Sequence, residues 1–581
     1  MKRVLYVLAI VPMLLSCSGE EPSIDPNQIL GFDFAEPLSL PSGVELKSYL
    51  YTSFNVKYVD RTESFLWNSF SKNEQPKVEF NLHKEDETEN LIDKPLASKQ
   101  KYVLDATFEG FTATTTFTAD EKFTLLKHED LEMTNRDLSS SYAPATGDVK
   151  MLVIPVALDG DWLDVWESDY IETMSDLYFG DEDPLSLRNY YKDASFDAMN
   201  ISGLVSDVYS YTDHTSNEIQ GNGGYEYLTD MMNKALAWVK DNHPEINWRE
   251  FDLNKNKAID NIHFVTNFNP GAYQSQTGKS VWATTLWPHM SEVDNTDGTL
   301  DSPTFRVYSC GVLDHLISPE GNSAITPIHE QGHIFGLPDY YDYGGKVDYI
   351  GSLDMQSGNV LDWNSYSKLT TGWVDSYVVK DECTVTITPA SKQGKCIIIP
   401  ADYDTFNNSA FDEYFLIELF ANYGNNKKFP SYSNYIGTGI RLYHVDARLV
   451  DYNGKETDNP RYGFQIIDNN NYDYSFAYYG GDSRFKKYCD KKLLTLIQKE
   501  GNDTFGNTND RARHYLNHED LFVAGDTFTF KKYNSFLSKQ GKERLTMDNG
   551  EEFPYKIEFV EVNNEYATMK ITKIPTSTET K

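Results

Sequence analysis

The eleven residues HEQGHIFGLPD, His329 to Asp339, restrict this chain more than any other stretch. His329 and His333 are four apart, one helical turn, so their imidazoles project from the same side and can share one ion. Glu330 is rotated by about 100° from His329, which sets its carboxylate beside such an ion rather than on it. ITPIHEQGHIF predicts the helix, with Asn322 or Ser323 as N-cap and Ile325, Ile328, Gly332 and Phe335 on one side. Gly336 ends it, because a residue without a Cβ takes the left-handed conformation a sharp reversal requires. That reversal returns Asp339 toward the histidines.

Catalytic zinc sites use three protein ligands and keep one position open for water. His329, His333 and Asp339 supply the three, and Glu330 is placed to take a proton from the attacking water and pass it to a leaving amine. The chemistry so assembled is amide hydrolysis. The competing reading is two ordinary helix histidines on an apolar face; a bare HExxH arises by chance in long chains, and the added glycine and aspartate weigh against it.

Charge excludes other classes. The 581 residues carry a formal charge of -36, which repels phosphate backbones and argues against a nucleic-acid partner. At the N-terminus, Lys2 and Arg3 precede the apolar stretch Val4–Leu15, too short to span a bilayer as a helix and typical of an export signal. Leu14-Leu15-Ser16-Cys17 resembles a bacterial lipobox, which implies cleavage before Cys17, a lipid on that cysteine, and an extracytoplasmic protein held to the cell envelope by acyl chains. An ordinary cleaved signal with an incidental cysteine is the competing reading.

Composition then divides the chain. Residues 1–16 read as the lipoprotein signal and 17–40, acidic and proline-bearing, as a tether. Short alternating runs such as KYVLDATF predict a β-sandwich-like module over 41–145. From VKMLVIPVAL the pattern is mixed α and β, predicting a catalytic domain over 146–375. Its strand candidates are NIHFVTNF, SVWATTLW and FRVYSCGV, and Leu228, Met231, Met232, Ala235 and Trp238 recur at helical spacing. EYFLIELF, GIRLYHVDARL, FVAGDTFTF and ATMKITK predict an all-β region over 376–581. Cys383 and Cys396 flank what reads as two strands and a glycine-containing turn, where a disulfide and a reduced pair are equally compatible.

Other candidates are weaker. In DLNKNKAIDN, Asp252, Asn254, Asn256 and Asp260 alternate oxygen side chains as a calcium loop does. Lys257 stands where the turn glycine of an EF-hand belongs and His263 where its bidentate glutamate does, so a solvated turn competes with a Ca2+ site. Tyr340 and Tyr341 follow the third ligand and are candidates to donate to a developing oxyanion, or simply to pack. His444 and Asp446 share one face of a strand without a third partner and read as a structural hydrogen bond.

HEQGHIFGLPDYYD resembles the signature of the immune inhibitor A family of secreted bacterial zinc metalloproteases. The resemblance runs over about 145–450, through VKMLVIPV, the DxNxN…D loop, GSLDMQSGN and KLTTGWV. It implies a metzincin-like catalytic fold, with His329, His333 and Asp339 as zinc ligands and Glu330 as general base, so that the expected architecture is this α+β domain between the flanking β modules read from the strand patterns. Absence of any glutamate between His333 and Glu382 separates the chain from HExxH proteases whose third ligand is a later glutamate. Metzincins set a methionine beneath the zinc, and relatives carry it two residues after the aspartate of the GxxD turn. Here Gln356 holds that position and Met355 the one before it. The expected function is a lipid-anchored zinc metalloendopeptidase acting on extracellular proteins or peptides; the alternative is a surface binding protein or adhesin with an inactive protease-like domain.

Overall fold

Alternating runs at the N-terminus pair locally before the rest of the chain is needed. In the computed structural model, residues 25–575 are described except 36, 39, 41, 70–74, 86, 120–122, 127–142, 282–283, 345–346, 459–462, 471–482, 489–490, 506–514 and 538–545. Strands β1 (Ile29–Phe34), β2 (Tyr51–Tyr58) and β3 (Thr62–Asn68) form one antiparallel sheet. A second contains β4 (Glu79–Lys84), β5 (Lys101–Phe108) and β6 (Phe111–Thr118). They share an aromatic cluster in which Phe32 stacks on Phe54 at 4.7 Å and Phe65 lies 5.6 Å from Phe108. The tether expected over 17–40 is corrected here: ILGFDF alternates, Phe32 is buried against Phe54, and the segment is strand β1. Cys17 and the signal over 1–16 lie outside the described residues, as does Cys489.

After β7 (Phe123–Leu126) comes β8 (Gly147–Leu158), buried without interruption from Met151 to Val156. It is followed by helices α1 (Tyr170–Phe179) and α2 (Leu187–Ala194), strands β9 (Met199–Val205) and β10 (Tyr209–Tyr211), and helix α3 (Gly224–Asn242). Strands β11 (Ile262–Thr266), β12 (His289–Glu292) and β13 (Val307–Val312) complete the sheet, ordered β10–β8–β11–β13–β12 with β9 also on β8. All pairings are parallel except β12 with β13. Parallel strands are covered on both faces, which is why they read as continuous apolar runs. Leu228, Met231, Met232 and Ala235 of α3 cover one face. On the other, α1, α2 and helix α4 (Ile325–Ile334) pack over Val149, Met151 and Val153.

The described residues of SVWATTLW form no strand. Thr284 N donates to Val281 O at 3.0 Å and Trp287 N to Thr284 O at 3.2 Å, closing turns that sink Val281 and Leu286 into the α3-side core, with Trp282 and Ala283 outside the described residues. The edge strand starts instead at His289.

Beyond α4 lie two short helices, α5 (Met355–Gly358) and α6 (Ser365–Thr370), then strands β14 (Asp375–Val379), β15 (Cys383–Ile387), β16 (Lys395–Pro400), β17 (Glu413–Phe420), β18 (Gly439–Asp446) and β19 (Leu494–Leu496). Strands β20 (Thr527–Thr529), β21 (Tyr555–Val562) and β22 (Ala567–Lys573) close the chain. One sheet runs β19–β18–β17–β16–β14–β7 and another β15–β22–β21–β20. Cys383 and Cys396 therefore sit in different sheets, not on a hairpin: β15 pairs with β22, and β16 with β14 and β17.

The composition changes near 145 and 375 are not breaks in packing. One core extends from Ala143 through α2 and α4 to Leu494 and Leu521, and a second joins Leu38, Leu82 and Phe117 to Ile397, Phe415 and Ile571. Trp373 Nε1 donates to Ala145 O at 2.6 Å, and Thr386 N donates to Tyr49 Oη at 3.2 Å. Among the described residues no helix is long and apolar enough to cross a membrane.

Candidate metal centre

Helix α4 begins one residue later than its sequence suggests. Ala324 is the N-cap, while Ser323 Oγ accepts from Ile325 N at 3.3 Å; Pro327 falls in the first turn, where its missing N–H costs nothing. The helix ends as its glycine requires. Gly336 has φ +83°, its N–H donates to His333 O at 2.8 Å, and Leu337 N donates to Gly332 O at 3.0 Å, the paired bonds of a Schellman motif.

This reversal brings Asp339 to the histidines. Its Oδ1 lies 3.1 Å from His329 Nε2 and 3.4 Å from His333 Nε2, and the two Nε2 atoms are 3.2 Å apart. Each ring is turned by a backbone carbonyl: His329 Nδ1 lies 2.8 Å from Met355 O and His333 Nδ1 lies 2.7 Å from Leu337 O. Carbonyls only accept, so those contacts place the protons on Nδ1 and leave two Nε2 lone pairs facing each other and a carboxylate. Such a set is repulsive without a cation among the three.

A metal fits that position. Nitrogen and oxygen ligands about 2.0–2.1 Å from a tetrahedral ion stand roughly 3.3–3.4 Å from one another, close to the three separations observed. Asp339 Oδ1 is buried and makes no well-aligned hydrogen bond, an orphan that an ion would satisfy. The electrostatics agree. Burial alone would lower both imidazoles, yet Asp339 and Glu330 lift them above their ordinary value, His333 to about 9. Burial would raise Asp339, but the imidazoles, His333 foremost, hold it well below the usual carboxylate range. Three closely packed groups whose charges call for added positive charge are a candidate cation site. Glu330 is 6% exposed beside them, its carboxyl raised by burial against the opposing pull of His329 and His333.

Of the two tyrosines after Asp339, Tyr340 is turned away. Its Oη lies 2.6 Å from Ser367 Oγ and its side chain is fully buried in the core, so it is not available to a substrate. Tyr341 is near the centre: burial raises its phenol, and the charges of Asp339 and Glu330 add to this. Tyr343, not anticipated from the sequence, donates to Asp339 Oδ2 at 3.0 Å. Also unanticipated are Asn469, whose Nδ2 donates to Tyr340 O at 3.2 Å, and Asn470, whose Nδ2 donates to Asp339 O at 3.0 Å and Tyr341 O at 3.1 Å. Nothing in the polar run DNNN distinguishes them from a surface turn. Met355 is fully buried and its carbonyl meets His329, and Gln356 packs beneath α4.

The 252–260 segment is a single turn that largely satisfies itself. Asp252 accepts from Asn256 N and Lys257 N at 2.9 Å each, Asn254 Oδ1 accepts from Asn256 N at 3.0 Å, and Asn256 Oδ1 accepts from Ala258 N at 2.8 Å. Asp260 Oδ2 accepts from Leu253 N at 2.6 Å while its Oδ1 is buried with no hydrogen bond. Lys257 occupies the left-handed region at φ +71° in place of a glycine, a conformation costing about 1–2 kcal/mol. His263 is directed elsewhere, its Nδ1 2.7 Å from Ser309 Oγ. His444 finds a partner in Glu413, at 2.8 Å, and Asp446 pairs with Arg448 through two contacts of 2.8 Å. Glu413 also accepts from Asp548 N and Asn549 N, so this buried group is a satisfied ionic network.

A His-His-Asp triad at the end of a helix flanking a mostly parallel sheet is a candidate metal centre of the kind metallopeptidases use. Residues 155–370 match the family model described as immune inhibitor A peptidase M6, catalytic domain. Over 211 residues the chain is 23% identical to "Immune inhibitor A" of Bacillus thuringiensis subsp. alesti, covering 31% of each chain, so the match spans about a third of that relative's length. Over residues 155–370 the chain is thus similar to the catalytic domain of the immune inhibitor A family.

Proposed function

We propose that this chain is a lipid-anchored, extracytoplasmic zinc metalloendopeptidase that hydrolyses peptide bonds of extracellular proteins. The observation that carries the reading is the convergence of His329 Nε2, His333 Nε2 and Asp339 Oδ1 within 3.4 Å of one another, with Glu330 alongside. His329, His333 and Asp339 would hold the zinc, which supplies Lewis acidity toward water and a substrate carbonyl. Glu330 takes the proton of the attacking water and returns it to the departing amine nitrogen; its burial suits a carboxylate that must carry a proton between two sites. Strand β12, antiparallel at the sheet edge and packed against α4, offers backbone groups on which an extended peptide can pair beside the triad. Tyr341 is retained as an oxyanion donor, and Cys17 as the lipid attachment point on the strength of its lipobox alone. Asp252, Asn254, Asn256 and Asp260 are retained as a second, weaker site for Ca2+, favoured by the unpaired buried Oδ1 of Asp260.

The test is metal content and proteolysis measured together. Purified protein should hold about one zinc per chain, and Glu330→Gln should abolish cleavage of unfolded protein substrates while retaining that zinc. Zinc-loaded wild-type protein that cleaves nothing across a broad peptide library would overturn the peptidase reading.

A further inference from the structure

Gln356 stands where the family resemblance calls for a methionine, and the structure brings it directly under the triad. Its side chain is fully buried, with Oε1 accepting from Trp363 Nε1 at 3.1 Å and Nε2 lying 3.4 Å from His333 Nδ1. Above it the α4 helix has no side chain: a Cβ on Gly332 would come within 2.4 Å of Gln356 Oε1 and 3.1 Å of its Nε2. Glycine between the two ligand histidines is what lets the amide seat there. The backbone of the same residue is also committed, its N–H donating to Asp354 Oδ1 at 2.9 Å and its carbonyl accepting from Tyr340 N at 2.9 Å, next to Asp339.

We infer that Gln356 is a positioning residue for the metal centre, an amide locked by Trp363 that holds the His333 imidazole and the Asp339 turn in ligating geometry. His333 Nδ1 already donates to Leu337 O at 2.7 Å, so the amide works by filling the space under the helical turn and not by a strong bond to the ring. A methionine can fill the same space, but it bends freely and its sulfur is a poor acceptor for an indole N–H. The glutamine adds a directional contact, and Trp363 gains a buried acceptor. This inference rests on the metallopeptidase reading above.

The experiment compares full-length wild type with Gln356→Ala, Gln356→Met and Trp363→Phe. Zinc affinity is read by chelator competition well below each variant's melting temperature, and site geometry by the absorption bands of the Co2+-loaded protein. Gln356→Ala should weaken zinc binding by about 10- to 100-fold and alter the Co2+ bands. Gln356→Met should restore affinity to within a few-fold of wild type, and Trp363→Phe should weaken it in the same direction as alanine while keeping the core filled. Alanine and phenylalanine variants that bind zinc as wild type does, with unchanged bands, overturn the inference and leave the metal site standing. A methionine variant no better than alanine overturns the claim that the two side chains share one position. Wild-type protein that binds no zinc overturns the metallopeptidase reading itself.

Discussion

His329 Nδ1 lies 2.8 Å from the carbonyl oxygen of Met355, a residue 26 positions further along the chain. That contact fixes which nitrogen of the first histidine faces Asp339. It also makes the triad dependent on the 354–364 segment, whose turn is tied by Asp354 to Gln356 N, Asn364 N and Asn364 Nδ2 at 2.9, 2.7 and 3.0 Å.

Tyr343 tests how far Asp339, the proposed third ligand, depends on its neighbours. The residue is 66% exposed, yet its hydroxyl donates to Asp339 Oδ2. Tyr343→Phe should lower zinc affinity by about 3- to 10-fold with no change in melting temperature of the metal-free protein. Chelator competition and a melting curve separate the two effects, and an affinity equal to wild type would show that the contact does not orient Asp339.

Asp260 predicts a pH dependence. Burial first, with the Asp252 charge adding and the Leu253 N–H opposing, raises its carboxyl from 3.8 to about 7. The folded form therefore binds the proton more tightly than the unfolded form between those values, so its stabilising contribution is complete below pH ~4 and is lost as pH rises through ~7. Without calcium, Asp260→Asn should melt higher than wild type at pH 8 and show a flatter profile from pH 5 to 8. Added Ca2+ should raise the melting temperature of wild type and not of Asp260→Asn; equal responses would remove calcium from this loop.

Lys368 and Asp362 form an ion pair of 2.6 Å with side chains 0% and 3% exposed, the ammonium also lying 4.7 Å from the Phe196 ring centre. Removing one member of a buried pair leaves the other charge without its counter-ion, at a cost of about 3–5 kcal/mol. Lys368→Met should lower stability by that amount in urea unfolding, and adding Asp362→Asn should recover part of it. A single variant within the error of wild type would mean that water reaches the pair.

Removal of the N-terminal module should not yield a stable shorter protein. Leu38, Leu82 and Phe117 share a core with Ile397, Phe415 and Ile571, and β7 extends the sheet of β14. A chain lacking residues 29–126 would expose that apolar surface and should aggregate or melt far below the intact protein. A soluble, cooperatively melting truncation would mark the module as separable.

Local pattern was enough for much of the site. The spacing of His329, Glu330, His333, Gly336 and Asp339 follows from helical periodicity and from the one residue type that tolerates φ +83°, so each position could be read before any fold was known. The apolar run of β8 was legible for the same reason: a strand covered on both faces has no polar alternation to confuse it. SVWATTLW misled because β-branched and aromatic residues also suit a turn whose side chains plug a core, and its hydrogen bonds, from Thr284 to Val281 and Trp287 to Thr284, leave no trace in composition. ILGFDF does not stand out within an acidic, proline-bearing segment because its one strongly buried residue, Phe32, finds its partner Phe54 on another strand, β2.

The sequence by itself marked His329, His333 and Asp339 as candidate metal ligands and gave the turn that returns Asp339 to the histidines, because these depend on residues within eleven positions of one another. Only the tertiary structure decided that Met355 orients His329 through its carbonyl and that Gln356 lies under Gly332. It likewise decided that Tyr340 turns to Ser367 while Tyr343 reaches Asp339, and that Asn470 braces the turn from 131 residues further along the chain. Those relationships join segments up to 131 residues apart, and which segments meet is set by the shared burial of apolar faces, which no local spacing records.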